Sequence, residues 1–446
     1  MTGRGIKWNR ARDASKERYE PVSRTPPGFL RTRYGVAAAA VFLLSLSLGL
    51  AWLAEARTQP FSDYQQYLQL AEGLLDHHQF GYPEPSAERL PGYPIFLAML
   101  LSLSRSVVWL SICNVLLAAL LAVVVFYLTL ALTAGNMKAA GIAAFLCAVN
   151  PTFVFYSPVL ASEHLFVLLL FSALLVAVLM PFRPVVTVII SGFVMGFAML
   201  TRGEAVFYLP VVMMAVVNRK ARMRDKIALS ICCLSVCFAV VFPWHLRNLR
   251  HFGPAGKISS TVGINFYLGH NDRQYGQLPE TDFKGSNAAE RQEEAFRQGA
   301  EYLRANPLRL LSDMAKGTRG LYFSESFYAL RDALVGKYQE GSVTYEVRKK
   351  VPSGARRLVS AFYLALLALA VASLAFCRKH MTRPSIVIGV IVMNWVCYAV
   401  VFFAKARYRF AVEVVFCILA GTALYSAFTG ISAMVRRRRS IAASHG

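Results

Sequence analysis

Carboxylates and guanidinium groups recur in this chain at the ends of long apolar runs, where a charge is expensive and usually has a partner or a task. Asp63 stands in Ser62-Asp63-Tyr64-Gln65, and Glu88 and Arg89 open Glu88-Arg89-Leu90-Pro91-Gly92-Tyr93-Pro94. Glu163 lies in Leu160-Ala161-Ser162-Glu163-His164, and Arg202 and Glu204 flank Gly203. Arg247 and Asn248 follow Trp244-His245-Leu246, and Lys405-Ala406-Arg407-Tyr408-Arg409 separates two apolar runs. A carboxylate can take a proton from an attacking hydroxyl, and a planar guanidinium grips phosphate oxygens in pairs. Gathered on one rim, these groups suit an anionic lipid headgroup and a reaction that needs a base. Each also has a purely structural reading: Asp63 favoured by a helix dipole, Arg–Glu pairs, or side chains snorkelling to lipid phosphates.

The elements that must position them are membrane helices. The chain has 446 residues, 56% hydrophobic and 16% charged, against about 25% charged in a soluble domain. Its apolar residues come in runs of about 18–25, the length that crosses a bilayer as helix. Ten spans are expected, at 35–54, 107–133, 139–156, 158–180, 184–201, 204–217, 227–245, 357–377, 384–403 and 410–434. Clusters of Lys and Arg at 1–34, 219–226, 378–383 and 436–439 flank these runs and place both termini in the cytoplasm by the positive-inside rule. The expected organisation is a basic cytoplasmic segment 1–34 and a membrane core 35–245 with a first outer loop at 55–106. A long, largely helical outer segment 246–356 follows, then membrane helices 357–434 and a basic tail 435–446. In the first outer loop, Ser62 to Gln65 reads as a capping box. It opens an interfacial helix with Tyr64, Tyr67, Leu68, Ala71, Leu74 and Leu75 on its apolar face. Residues 95–104 are too few to cross and read as a half-inserted helix after a Pro-Gly turn.

The net charge of +23 resides largely in the membrane-flanking clusters, without aromatic-interleaved basic stripes, so nucleic acid is not an expected partner. All eight cysteines fall in apolar runs without a CxxC pair, which excludes disulfide-scaffold and zinc readings. The first apolar run is too long, and lacks an A-x-A site, to be a cleavable signal. No internal repeat of the kind seen in many secondary transporters is evident.

In order and topology these residues resemble the GT-C superfamily of membrane glycosyltransferases. The nearer likeness is to the branch with the protein O-mannosyltransferases and the lipid A aminoarabinose transferase. The likeness runs from Asp63-Tyr64 and Arg89-x-Pro91-Gly92-Tyr93-Pro94 through Tyr156-Ser157, Ser162-Glu163 and Gly192-x-x-x-Gly196 to Leu200-Thr201-Arg202. It continues in Pro243-Trp244-x-x-Arg247-Asn248, Gly263-x-Asn265 and Arg407-Tyr408-Arg409. The resemblance implies an all-α polytopic bundle of about ten spans, with interfacial and half-inserted helices beside an outward-facing active site. It also implies a polyprenyl-monophosphate sugar donor with its tail in the bilayer, a lipid, glycan or protein acceptor, and no nucleotide cofactor. Asp63 matches the catalytic or acceptor-binding carboxylate, and Glu163 a second membrane-edge carboxylate. Arg89, Arg202, Arg247 and Arg407 are the expected phosphate ligands; Tyr64, Tyr93, Asn248, Asn265 and Tyr408 are the expected substrate contacts. A divalent metal is an open expectation, with Glu88 and His270 as candidate ligands, although His270 reads more readily as a polar loop histidine. Two features depart from the pattern. Asp63 lacks the paired acid of some relatives, and the outer segment has no recognisable inserted module. A bacterial inner membrane is the expected location. An O-antigen-type ligase or polymerase using polyprenyl-diphosphate glycans, and a lipid or solute transporter, are the rival readings.

Overall fold

A computed structural model describes residues 32–56, 60, 62–81, 83–179, 184–217, 222–253, 262–271, 275–276, 283–285, 288–324, 326–340, 343–348, 351–375 and 380–443. The basic segment 1–31 and residues 444–446 of the tail lie outside them. Helix dominates. Among the described residues seven helices are long and apolar enough to cross a membrane: α1 (Thr32–Ala56), α4 (Val107–Leu132), α8 (Pro184–Thr201), α10 (Met223–Phe252), α15 (Ser353–Leu374), and the stretches Pro384–Val401 and Ala406–Thr429. Shorter apolar helices fill in between them: α3 (Gly92–Leu101), α5 (Met137–Ala148), α7 (Glu163–Leu179) and α9 (Ala205–Val217). This is an integral membrane protein.

Three of the ten expected spans are thus shorter helices, for local reasons. The run 139–156 is interrupted at Asn150-Pro151: Asn150 turns its side chain to accept from the Thr152 N–H, and Pro151 starts a separate α6 (Pro151–Tyr156). The run 158–180 begins as a non-helical turn through Ser162, so Glu163 is the first residue of α7 instead of lying one turn inside a span. The third, α9, keeps Pro210 in its interior.

The half-inserted helix is α3, and the helix before it, α2 (Ser62–His77), buries Tyr64, Tyr67 and Ala71 against the bundle. Small residues allow the closest helix approaches. Gly192 and Gly196 of α8 face Val236 and Val240 of α10, where a Cβ on Gly196 would lie 2.7 Å from the Val240 Cβ. Buried Asn114 of α4 donates to both the Tyr93 hydroxyl and the Val159 carbonyl, 2.7 Å each, tying α3 to the turn before α7.

The segment after α10 forms α11 (Val262–Gly269), α12 (Ala288–Ala305), α13 (Arg309–Tyr322) and α14 (Tyr328–Ala333). An antiparallel hairpin of β1 (Val335–Glu340) and β2 (Val343–Arg348) follows, the departure from an all-α expectation. The stretch after α15 comprises α16 (Pro384–Trp395), a π-helical turn Val396–Val401, a 3-10 turn Ala406–Arg409 and α17 (Phe410–Ala443).

Candidate functional site

Charged side chains from five separate stretches meet at one end of the bundle and alternate in sign. Arg89 donates from Nη2 to Asp63 Oδ1 at 2.5 Å and from Nε to Gln66 Oε1 at 2.9 Å. Asp63 Oδ2 lies 3.5 Å from Arg407 Nη1. Arg407 donates from Nε to Glu163 Oε1 at 2.5 Å, and Arg202 Nη1 reaches the same oxygen at 2.7 Å. Arg202 Nε donates to Glu204, whose carboxylate accepts from the Tyr398 hydroxyl at 2.6 Å. The series Arg89–Asp63–Arg407–Glu163–Arg202–Glu204 is a ladder of three guanidiniums and three carboxylates.

Local sequence explains each placement. Asp63 falls in the first turn of α2 and Glu163 in that of α7, where the helix dipole favours a carboxylate. Arg202 and Glu204 face each other across the Thr201–Glu204 turn, which must approach the Pro91-Gly92 turn closely. A Cβ on Gly92 would lie 2.6 Å from Thr201 Oγ1. The 3-10 turn divides its arginines: Arg407 joins the ladder, while Arg409 is fully buried against Glu413 at 2.7 Å and over the Tyr363 ring at 3.8 Å.

Behind the ladder stands a phenol pair. The Tyr64 and Tyr156 hydroxyls are 2.6 Å apart, and Tyr64 also accepts from Arg407 Nη1 at 3.3 Å and donates to Asp332 at 3.4 Å. Burial pushes the Tyr64 phenol far above its usual range, beyond what the nearby Arg407 can offset, so it stays protonated. Burial, and next the charge of Arg407, lower the pKa of the neighbouring Lys405 ammonium.

The ladder borders a cavity of about 330 Å³. Asp63, Glu88, Arg89, Arg202, Arg407, Tyr408 and Asn265 are among its polar lining residues. Leu90, Met199, Val206, Phe207, Val241 and Phe402 form much of the remainder. Tyr408 stacks flat on Tyr398 at 4.6 Å.

No protein-family model and no curated protein matches the chain. Solved structures do. The apo oligosaccharyltransferase of Archaeoglobus fulgidus superposes with a TM-score of 0.54 at 14% identity, over 93% of this chain and 52% of that one. The oligosaccharyltransferase AglB from the same organism, in complex with an inhibitory peptide and a dolichol-phosphate, gives 0.51 at 13% identity, over 93% and 52%. The Archaeoglobus fulgidus enzyme in complex with Zn and sulfate gives 0.50 at 12%, over 90% and 51%. The chain has a GT-C fold. It spans about half the length of the solved structures it matches.

In this GT-C bundle not every expected site residue reaches the cavity. Arg247 points its guanidinium at the loop 80–86, donating to the Phe80 carbonyl at 2.8 Å and the Ser86 carbonyl at 2.6 Å, and stacks over Trp244. Asn248 accepts from it at 2.9 Å and is buried beside it. Tyr93 and Tyr64 are also buried, packed behind the lining. His270 is a buried histidine whose Nε2 lies 3.1 Å from the Val400 carbonyl and whose Nδ1 lies 3.6 Å from Asp313; it does not share the cavity with Glu88. Both Asp63 oxygens face guanidiniums. Among the described residues no three His, Cys, Asp or Glu side chains gather as a metal site. Glu204, Tyr398 and Asp332 are additions that the sequence reading did not assign to the site. The turn Arg202-Gly203-Glu204 carried a signal for the first, but nothing local marks Tyr398 or Asp332.

Proposed function

We propose that this protein is a membrane glycosyltransferase. It moves a sugar from a polyprenyl-monophosphate donor to an acceptor hydroxyl at the extracytoplasmic face of a bacterial inner membrane, both termini lying in the cytoplasm. The observation that carries this reading is the junction of the charge ladder with an apolar-walled cavity. Such a cavity takes a polar phosphate at one side and a hydrocarbon tail at the other. The dolichol-phosphate held by the archaeal oligosaccharyltransferase of the same fold supports a lipid-phosphate ligand.

In the proposed step an acceptor oxygen attacks the anomeric carbon, and the bond from that carbon to the phosphate oxygen breaks. The electron pair leaves with the polyprenyl phosphate, and the acceptor proton passes to Asp63. A single displacement inverts the anomeric centre. Arg407, Arg202 and Arg89 neutralise the charge that develops on the leaving phosphate, where preorganised donors do most for the rate. Glu163 gathers Arg202 and Arg407 on one carboxylate oxygen, while Tyr64 accepts from Arg407 beside it. Arg247 acts on the loop and not on the phosphate. No step is assigned to a metal.

The test is release of polyprenyl phosphate by the protein in lipid nanodiscs, offered a panel of polyprenyl-monophosphate sugars and, separately, diphosphate-linked glycans. Release from a monophosphate donor that disappears in Asp63→Asn, with donor binding retained, is the expected result. Turnover of the diphosphate series alone would assign the protein to ligase chemistry. Failure of every donor to bind would remove the glycosyltransferase reading and return a transporter to consideration.

A further inference from the structure

A second cavity, of about 600 Å³, lies on the other side of Arg89 and Glu88 from the first; these two residues line both. Its floor is one face of α2. Gln66, Gln69, Gly73 and Asp76 follow one another at spacings of three and four, and they lie opposite the face that buries Tyr64, Tyr67 and Ala71. The far wall is formed by Gly81, Glu84, Ser86, Glu88 and Arg89. Leu70 is the only large apolar side chain among the described lining residues, in contrast with the first cavity.

This groove is built. Gly81 takes φ +94° in the turn that forms the wall, where a Cβ would lie 2.6 Å from both the Glu84 carbonyl oxygen and the Ser86 nitrogen. Arg247 pins the same loop through the Phe80 and Ser86 carbonyls. Arg105 closes one end with a two-point bond to Asp76, at 2.8 and 2.5 Å. At the other end Gln66 accepts from Arg89, whose second nitrogen holds Asp63.

Arg105 is matched by Asp76 and Arg89 by Asp63. Glu72, Glu84 and Glu88 line the same groove without a salt bridge of their own among the described residues, although Glu72 is near enough to act on Arg105 and His77 lines the groove as well. A phosphate or carboxylate entering there meets unmatched negative charge. Hydroxyl groups meet carboxylate and amide acceptors at many positions.

We propose that this groove is the acceptor subsite, and that it takes a neutral, polyhydroxylated glycan end and refuses anionic headgroups. The proposal rests on the glycosyltransferase reading and deepens it. Donor and acceptor reach Asp63 from opposite sides of the Glu88-Arg89 wall, the lipid-linked sugar from the apolar cavity and the glycan from the polar groove. Gln66 lines the groove and Asp63 the first cavity, with Arg89 bonded to both, so an acceptor hydroxyl that passes Arg89 meets a carboxylate for its proton.

The test uses the full chain in nanodiscs carrying Gln69→Cys, an exposed position on the groove floor that the ladder does not use. Alkylation by a small maleimide is timed with and without labelled neutral oligosaccharides, and with the same glycans bearing a phosphomonoester; the parent protein supplies the background. Neutral oligosaccharides are expected to slow labelling at least fivefold and phosphorylated ones less than twofold. Gln69→Trp should raise the acceptor KM at least tenfold. Glu72→Lys with Glu84→Lys should move protection toward the phosphorylated glycans. Labelling that no neutral glycan slows, or that phosphorylated glycans slow equally well, overturns the subsite. Protection by neutral glycans in a protein that releases no polyprenyl phosphate would leave the subsite standing and remove the transferase reading instead.

Discussion

Replacing Glu163 by Gln should separate the ladder from ordinary packing. The Glu163 side chain is 2% exposed and accepts two charge-assisted hydrogen bonds, from Arg202 at 2.7 Å and Arg407 at 2.5 Å. A hydrogen bond to a charged group contributes about 1.5–3 kcal/mol and a neutral one about 1. Gln keeps an acceptor oxygen and the shape, so each bond loses about 1–1.5 kcal/mol and the pair about 2–3. The full cost of severing a buried ion pair, about 3–5 kcal/mol, is not reached, because Arg202 keeps Glu204 and Arg407 keeps Asp63. At 1.4 kcal/mol per factor of ten, Glu163→Gln should slow polyprenyl-phosphate release by about 30- to 150-fold and lower the melting temperature. Glu413→Gln is the matched control. Glu413 is as buried and holds Arg409 at 2.7 Å, but neither residue lines the cavity. That variant should melt lower with the donor KM unchanged within twofold. The reasoning is refuted if Glu163→Gln melts like the parent and turns over within threefold of it. It is refuted equally if Glu413→Gln loses donor affinity to the same degree.

Three further outcomes follow from single contacts. Arg247→Lys replaces a planar two-carbonyl clamp with a point charge, so hydrogen exchange in residues 78–90 should accelerate and turnover fall about tenfold, roughly 1.4 kcal/mol. Gly263→Ala would put a Cβ 1.7 Å from the Gln292 carbonyl oxygen, so α11 and α12 must separate; overpacking of this kind costs about 1–3 kcal/mol and should appear as a lower melting temperature. The hydrogen bond from Arg105 lowers the Asp76 pKa below the usual carboxylate value of about 3.9. The stability from that pair is therefore fully present above about pH 4 and lost as pH falls through the depressed value. Melting curves of the parent and Asp76→Asn should keep a constant separation from pH 5 to 8 and converge in stronger acid.

Much of the site was legible because a charge beside an apolar run is conspicuous without any knowledge of contacts. Asp63, Glu88, Arg89, Arg202, Arg407, Asn265 and Tyr408 all line one cavity, although they are scattered across more than three hundred residues. Glu163 was equally conspicuous and is the ladder's central carboxylate. Arg247 carried the same signature but serves the loop. Sequence cannot tell a guanidinium that faces a ligand from one that holds backbone carbonyls of a loop far away in the chain. Tyr398 was invisible, lying in a run that reads as uninterrupted helix; only the π-helical turn brings its hydroxyl to Glu204. The span boundaries erred where Asn150-Pro151 and the turn before Glu163 broke hydrophobic runs that hydropathy alone reads as continuous.

The ladder's three guanidiniums have a kinetic consequence. On the proposed reading the donor is a phosphodiester with a single negative charge. The product, a phosphomonoester, carries about −1.5 to −2 near neutral pH. The same guanidiniums that receive the substrate therefore hold the spent carrier more tightly than they held the loaded one. Turnover would be limited by departure of polyprenyl phosphate, not by bond breaking. A first round of transfer faster than all later ones should then appear in rapid-mixing experiments, and added polyprenyl phosphate should compete with the donor. The slow step would lengthen as pH rises past the second phosphate ionisation near 6.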